Sequence, residues 1–173
     1  RLGAILRAKF YKANWKVDVI ENGERYTVEN AAKDKLIADP FLWKSDNRTY
    51  CFYEEQLAKK PGEIKVIDLY SQKAILALRE NYHLSYPQIF KYDEGLFMIP
   101  ESSANSTLDI YKCRQFPANW CKVHTIFSGR KLHDATLLKH DGKFWIFAVE
   151  SADDNMNPWV DLKIFYADDL GWQ

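Results

Sequence analysis

Residues 38–54 read Ala38-Asp39-Pro40-Phe41-Leu42-Trp43-Lys44-Ser45-Asp46-Asn47-Arg48-Thr49-Tyr50-Cys51-Phe52-Tyr53-Glu54. A short apolar run meets the polar pair Asp46-Asn47 and returns as an aromatic-rich run, the signature of two antiparallel strands joined by a tight turn. The pattern occurs twice more. Ser85-Tyr86-Pro87-Gln88-Ile89-Phe90 leads through Asp93-Glu94-Gly95 to Phe97-Met98-Ile99-Pro100-Glu101. His133-Asp134-Ala135-Thr136-Leu137-Leu138 leads through Asp141-Gly142 to Trp145-Ile146-Phe147-Ala148-Val149. Asp39, Tyr86 and Asp134 hold equivalent places, 47 residues separating the first two and 48 the last two.

Each hairpin is followed by a third strand-length apolar run, at Ile64 to Tyr70, Leu108 to Cys113 and Leu162 to Tyr166. A fourth element is marked by tryptophan: Ala118-Asn119-Trp120 precedes Lys122 to Phe127, Ala13-Asn14-Trp15 precedes Lys16 to Ile20, and Gly171-Trp172 begins the motif again. Ser71 to Glu80 suits either a short helix or the fourth strand of its repeat, and the repeat favours the strand. Four strands per unit of this length is the pattern of a propeller blade. The expected fold is therefore all-β, a propeller of four-stranded antiparallel blades with about three blades present. Residues 1–173 read as one partial domain, with blade-like repeats at 1–35 in part, 36–82, 83–130 and 131–173. An open arc of this size leaves sheet faces uncovered, so further blades or a neighbouring domain are expected to complete it.

The bulk composition narrows the function classes. Hydrophobic residues make up 47% and aromatic residues 15% of 173, enough to fill a core. Lys plus Arg and Asp plus Glu both number 24, so nothing in the overall charge favours a nucleic-acid backbone. No run of 18 apolar residues is present, and Arg1 to Ala8 lacks the apolar core of a signal peptide, so no membrane segment is expected in this chain. Cys51, Cys113 and Cys121 lack zinc-ligand spacing. They read as small buried hydrophobes, or Cys113 and Cys121 bridge across the turn at Phe116 to Trp120. Asn47-Arg48-Thr49 and Asn105-Ser106-Thr107 are glycosylation acceptors if the chain enters a secretory compartment. Glu150, Asp153, Asp154, Asn155 and Asn157 form an oxygen-rich stretch that reads as a solvated connection rather than a calcium site, and no metal or cofactor is expected. Phosphate-loop, esterase-elbow and zincin motifs are absent.

In a propeller, equivalent positions of successive inner strands converge on the axis. Asp39, Tyr86 and Asp134 are thus expected around one funnel, with His83 and His133 beside them and Glu54 and Glu101 at matching places on the second strands. Carboxylates in an aromatic-walled funnel suit glycoside chemistry, where one carboxylic acid protonates a leaving oxygen and a carboxylate activates water or attacks carbon. Asp39, Glu101 and Asp134 are the catalytic candidates. His83, Tyr86, His133, Trp43 and Glu54 are the substrate-binding candidates.

The chain resembles a known group at Asp39-Pro40-Phe41-Leu42, Phe52-Tyr53-Glu54-Glu55, His83-Leu84-Ser85-Tyr86-Pro87, Met98-Ile99-Pro100-Glu101-Ser102, Phe116-Pro117-Ala118-Asn119-Trp120 and Asp134-Ala135-Thr136-Leu137. These segments resemble the glycoside-hydrolase-like five-bladed propeller domains at the amino-terminal side of plant glucosamine inositolphosphorylceramide transferases and of bacterial proteins joined to a formyltransferase-like domain. More distantly they are similar to the propellers of glycoside hydrolase family forty-three. That similarity implies Asp39 as the base and Asp134 as the residue tuning the acid. The family's acid Glu belongs to a later blade, which leaves Glu101 as the substitute acid within this chain. Tyr86 stands where a carboxylate would be expected, and Glu101 is characteristic of the subgroup rather than of the hydrolases. The resemblance implies a carbohydrate-active domain acting on or binding a glycan or glycoconjugate, or a sugar-recognition or scaffolding domain beside a transferase. A bacterial formyltransferase-type relative would be cytoplasmic; a plant-type transferase would place the domain in the Golgi lumen or secretory route. A protein-interaction propeller, its aromatic residues simply core, is the third class.

Overall fold

A computed structural model describes residues 16–28, 35–151 and 161–171. Their regular structure is β throughout, apart from one 3-10 turn at Ser103–Asn105. A hairpin of β1 (Val17–Glu21) and β2 (Glu24–Val28) precedes a four-stranded sheet made of β3 (Lys35–Ser45), β4 (Arg48–Leu57), β5 (Glu63–Asp68) and β6 (Lys73–Leu78). The second sheet contains β7 (Ser85–Tyr92), β8 (Gly95–Glu101), β9 (Thr107–Gln115) and β10 (Asn119–Ser128). β11 (Lys131–His140), β12 (Lys143–Ser151) and β13 (Leu162–Ala167) form the third. Strand order within each sheet follows chain order and every pairing is antiparallel, which is the up-and-down meander of propeller blades.

The turns show why the chain reverses where it does. Asn22-Gly23, Asp46-Asn47 and Asp141-Gly142 all have positive φ at both central residues, the conformation whose twist matches two-residue hairpins. Ser71 to Glu80 contains strand β6, the fourth strand of its sheet. One element differs from the repeat reading: Val17–Glu21 pairs with Glu24–Val28 in a separate hairpin and is not the closing strand of a blade. Trp15, Trp172 and the residues 153–157 of the oxygen-rich stretch lie outside the described residues.

The sheets stack face to face, and the period-2 alternation of each central strand divides its side chains between two cores. On β4, Phe52 faces the second sheet with Ile64, Met98, Tyr111 and Trp120, while Cys51 and Tyr53 face the hairpin with Val17, Val19 and Val28. On β8, Met98 points back to the first sheet while Phe97 and Ile99 join Leu132, Leu137 and Ile146 between the second and third. The turn at Phe116 to Trp120 also bridges sheets: Phe116 meets Tyr50 edge-on at 4.7 Å and Trp120 meets Phe52 at 5.8 Å.

The same alternation decides the cysteines. Cys113 lies opposite Trp120 and Cys121 opposite Lys112, so consecutive positions turn the two thiols toward different faces, and all three cysteines are free. Cys51 is fully buried, which pushes its thiol up to about 12. Asn47 and Asn105 both stand exposed, the first in a hairpin turn and the second in the 3-10 turn. Among the described residues, no helix is long and apolar enough to cross a membrane.

Candidate functional site

The three equivalent inner-strand positions share one backbone device. Pairing slips between Ala38 and Phe41, between Ser85 and Gln88, and between His133 and Thr136. Two residues thereby oppose one, as in a β-bulge. The first residue of each bulge is left-handed: Asp39 at φ 51°, Tyr86 at φ 45° and Asp134 at φ 49°. Such a conformation costs a non-glycine residue about 1–3 kcal/mol and turns its side chain out of the regular pleat.

The second and third bulges are each tied to the preceding sheet by a carboxylate. The Tyr86 backbone N–H donates to Asp39 Oδ2 at 3.2 Å, and the Asp134 backbone N–H donates to Glu101 Oε2 at 3.0 Å. Between the second and third sheets, the Tyr86 and Thr136 hydroxyls meet at 2.9 Å. Phe41 covers the Tyr86 ring edge-on at 5.1 Å. Glu54 and Glu101 occupy matching places, opposite Ala38 on β3 and opposite Ser85 on β7; Val149 holds that place in the third sheet.

Asp39, Glu54, Glu101 and Asp134 consequently gather into one carboxylate cluster. Glu54 is buried and shares a hydrogen bond with Asp39; Asp134 shares another with Glu101. Burial pushes Glu54 up to about 7, with the negative charges of Asp39 and Glu101 adding to the effect. Asp134 rises to about 6, again chiefly through burial and then through Glu101 and Asp39. Burial also raises Asp39, against the stabilising Tyr86 N–H. Near neutral pH Glu54 therefore holds a proton in about half of the molecules, and Asp134 loses its own about one unit lower.

His83 lies at the edge of the cluster, its Nε2 3.4 Å from Glu54 Oε1. The Gly62 N–H donates to His83 Nδ1 at 2.9 Å, which fixes the neutral ring with its proton on Nε2, toward Glu54. Burial lowers the His83 pKa despite the nearby charges of Glu101 and Asp39. Gly62 is itself required: a Cβ there would lie 2.7 Å from the Leu84 carbonyl and 2.9 Å from Glu54 Oε1. The crossover carrying His83 is pinned farther along by Tyr111, whose hydroxyl donates to Glu80 at 3.0 Å and meets the Tyr82 hydroxyl at 3.1 Å.

His133 belongs to the cluster through Glu101, its Nδ1 3.1 Å from Glu101 Oε1. Trp43 does not join it. It lies four residues past the Asp39 bulge, near the hairpin turn, and packs on the core between the first and second sheets. Sequence reasoning missed Gly62, Ser103, Thr136 and Ser151; Gly62, Thr136 and Ser151 act through partners distant in sequence, and Ser103 bonds Glu101 two residues away. Glu150, taken with the oxygen-rich stretch, is instead engaged by the Arg130 guanidinium in two hydrogen bonds of 2.7 Å. Among the described residues no group of three or more His, Cys, Asp or Glu has metal-binding geometry.

The chain is similar to proteins named glucosamine inositolphosphorylceramide transferase 1. It is 30% identical over 145 residues to the one from Oryza sativa subsp. japonica, covering 80% of this chain and 19% of that protein. Identity is also 30% with the Arabidopsis thaliana protein, over 141 residues, covering 76% of this chain and 18% of that protein. The chain therefore spans about a fifth of the length of the curated relatives it matches. Among solved structures, a thermostable family-43 glycoside hydrolase aligns with TM-score 0.47 and 13% identity over 67% of this chain and 46% of that one. The family described as glucosamine inositolphosphorylceramide transferase 1, N-terminal, matches residues 15–171, and the chain belongs to that family.

Proposed function

We propose that this chain is part of a carbohydrate-active propeller domain whose carboxylate cluster binds a glycan or glycoconjugate, with Glu54 and Asp39 as its acid–base pair. The Glu54–Asp39 pair carries this reading: burial and the neighbouring charges push Glu54 up to about 7, and Asp39 beside it accepts the Tyr86 N–H. Glycoside cleavage or transfer requires both, a proton for the leaving oxygen and a carboxylate facing water or the sugar carbon. The relatives' name, which joins a sugar to a lipid headgroup, supports the choice of ligand class. In this arrangement Glu54 takes the acid role, and Asp134, raised to about 6, lies on the other side of Glu101. Glu101 serves as an acceptor, because its oxygens already receive the Ser103 hydroxyl at 2.7 Å, the Asp134 N–H at 3.0 Å and the His133 ring at 3.1 Å. Tyr86, His83 and His133 shape the wall of the site.

A recognition domain beside a transferase is the second reading. Tyr86 favours it, since it puts a ring and a hydroxyl bonded to Thr136 where the other two sheets place Asp39 and Asp134. Further blades or a transferase domain of the same protein complete the arc. The test is a thermal-shift and turnover screen of the whole protein against oligosaccharides, glycolipid headgroups and nucleotide sugars. The acid–base reading expects a stabilising ligand whose turnover falls at least about 100-fold in Asp39→Asn while binding persists. Stabilisation without turnover selects recognition. A folded protein that responds to no sugar overturns both.

A further inference from the structure

One constellation shares Glu101 and His133 with the carboxylate cluster and extends from them to Ser151. Ser151 lies opposite Lys131 and His133 opposite Val149, which makes Ser151 and His133 diagonal neighbours on one face of the β11–β12 pair. Ser151 Oγ is 2.9 Å from His133 Nε2, and His133 Nδ1 is 3.1 Å from Glu101 Oε1. Glu101 receives the Ser103 hydroxyl and the Asp134 N–H as well, so it meets the imidazole purely as an acceptor. The neutral ring then carries its proton on Nδ1 and turns the lone pair of Nε2 to the Ser151 hydroxyl. Ser151 is buried, with 9% of its surface exposed, and the His133 side chain is 20% exposed.

Nucleophile, base and orienting carboxylate in hydrogen-bond sequence is the arrangement that activates a serine. We propose that Ser151 is a nucleophile toward acyl esters, with His133 as its base and Glu101 as the positioning residue for the ring. Ser151 Oγ bonds to the acyl carbon while its proton passes to His133 Nε2; the ester C–O bond breaks and the departing alcohol takes that proton. The acyl group stays on Ser151 until water, deprotonated by the same ring, displaces it as a carboxylic acid and restores the hydroxyl. Nothing in this step requires a sugar, so it stands or falls separately from the glycan reading.

The experiment treats the whole protein with a fluorophosphonate probe and maps the adduct by peptide mass spectrometry. Attack by Ser151 Oγ forms the O–P bond, fluoride leaves, and His133 accepts the proton. The expected result is an adduct on Ser151, absent in Ser151→Ala and formed at least about tenfold more slowly in His133→Ala. Labelling of Ser151 no faster than that of the exposed Ser71 in the folded protein overturns the proposal. The pH dependence of wild-type labelling keeps the test independent of whether His133→Ala folds. His133 is faced by Glu101 from β8, by Ser151 from β12, and by Asp134 on its own strand. A rate that rises as the imidazole loses its proton and then levels supports its role as base; a rate that climbs with hydroxide throughout excludes it.

Discussion

Glu54 shows how one side chain's surroundings become a property of the whole domain. A carboxyl whose folded pKa lies above its unfolded value binds its proton more tightly when folded. Its contribution to stability is therefore complete below about pH 4.5 and is lost as pH rises to about 7. The shift corresponds to about 3 kcal/mol, since each pKa unit is worth about 1.4 kcal/mol. Replacing Glu54 with Gln keeps a neutral hydrogen-bonding group beside Asp39. We expect Glu54→Gln to match wild type near pH 4 and to exceed it by up to about 3 kcal/mol at pH 8, measured by urea unfolding across that range. Parallel pH profiles for the two proteins would show that Glu54 does not hold the proton. The candidate carboxylates Asp39, Glu54, Glu101 and Asp134 were legible in the repeat because identical strand positions must meet at the axis. Which of them hold protons was not, because burial and mutual charge arise only after the sheets stack.

At the scale of elements, the turn between β4 and β5 and the crossover between β6 and β7 lock together around Gly62. Its N–H donates to His83 Nδ1, and its carbonyl accepts from the Leu84 N–H at 3.0 Å. A Cβ at this position meets the Leu84 carbonyl, which belongs to the backbone and cannot rotate away. Gly62→Ala is expected to destabilise the protein by about 1–3 kcal/mol and to displace His83 from Glu54. Chemical denaturation and the His83 imidazole resonances read the two effects separately; an unchanged His83 signal in a destabilised variant would disconnect the turn from the site. The strands themselves were legible from alternation and turn chemistry, as with Asp46-Asn47 and Asp141-Gly142. Val17–Val28 was not, since a hairpin and the closing strand of a blade share one local pattern and differ only in what they pair with.

Across the whole molecule, each interior sheet face is covered by its neighbour, while among the described residues nothing covers the outward face of the third sheet. Leu138, Trp145 and Tyr166 align across its strands, and Thr136, Phe147 and Ile164 form the next row. Leu138, Leu162, Ile164 and Tyr166 are 48%, 63%, 54% and 67% exposed, an apolar surface of the kind that seeks a partner. The 173-residue chain produced alone is therefore expected to self-associate, and the double variant Ile164→Lys, Tyr166→Lys to shift it toward monomer in sedimentation velocity. A wild-type chain that stays monomeric at high concentration would contradict this. The sequence by itself determined the antiparallel strands, the hairpin turns and the matching places of Asp39, Tyr86 and Asp134, because strand periodicity and turn preferences are local. Only the tertiary structure decided that Trp43 belongs to the core, that Gly62 supports His83, and that Ser151, His133 and Glu101 form a line. Those relations join different strands and sheets, and no spacing along the chain encodes the distance between them.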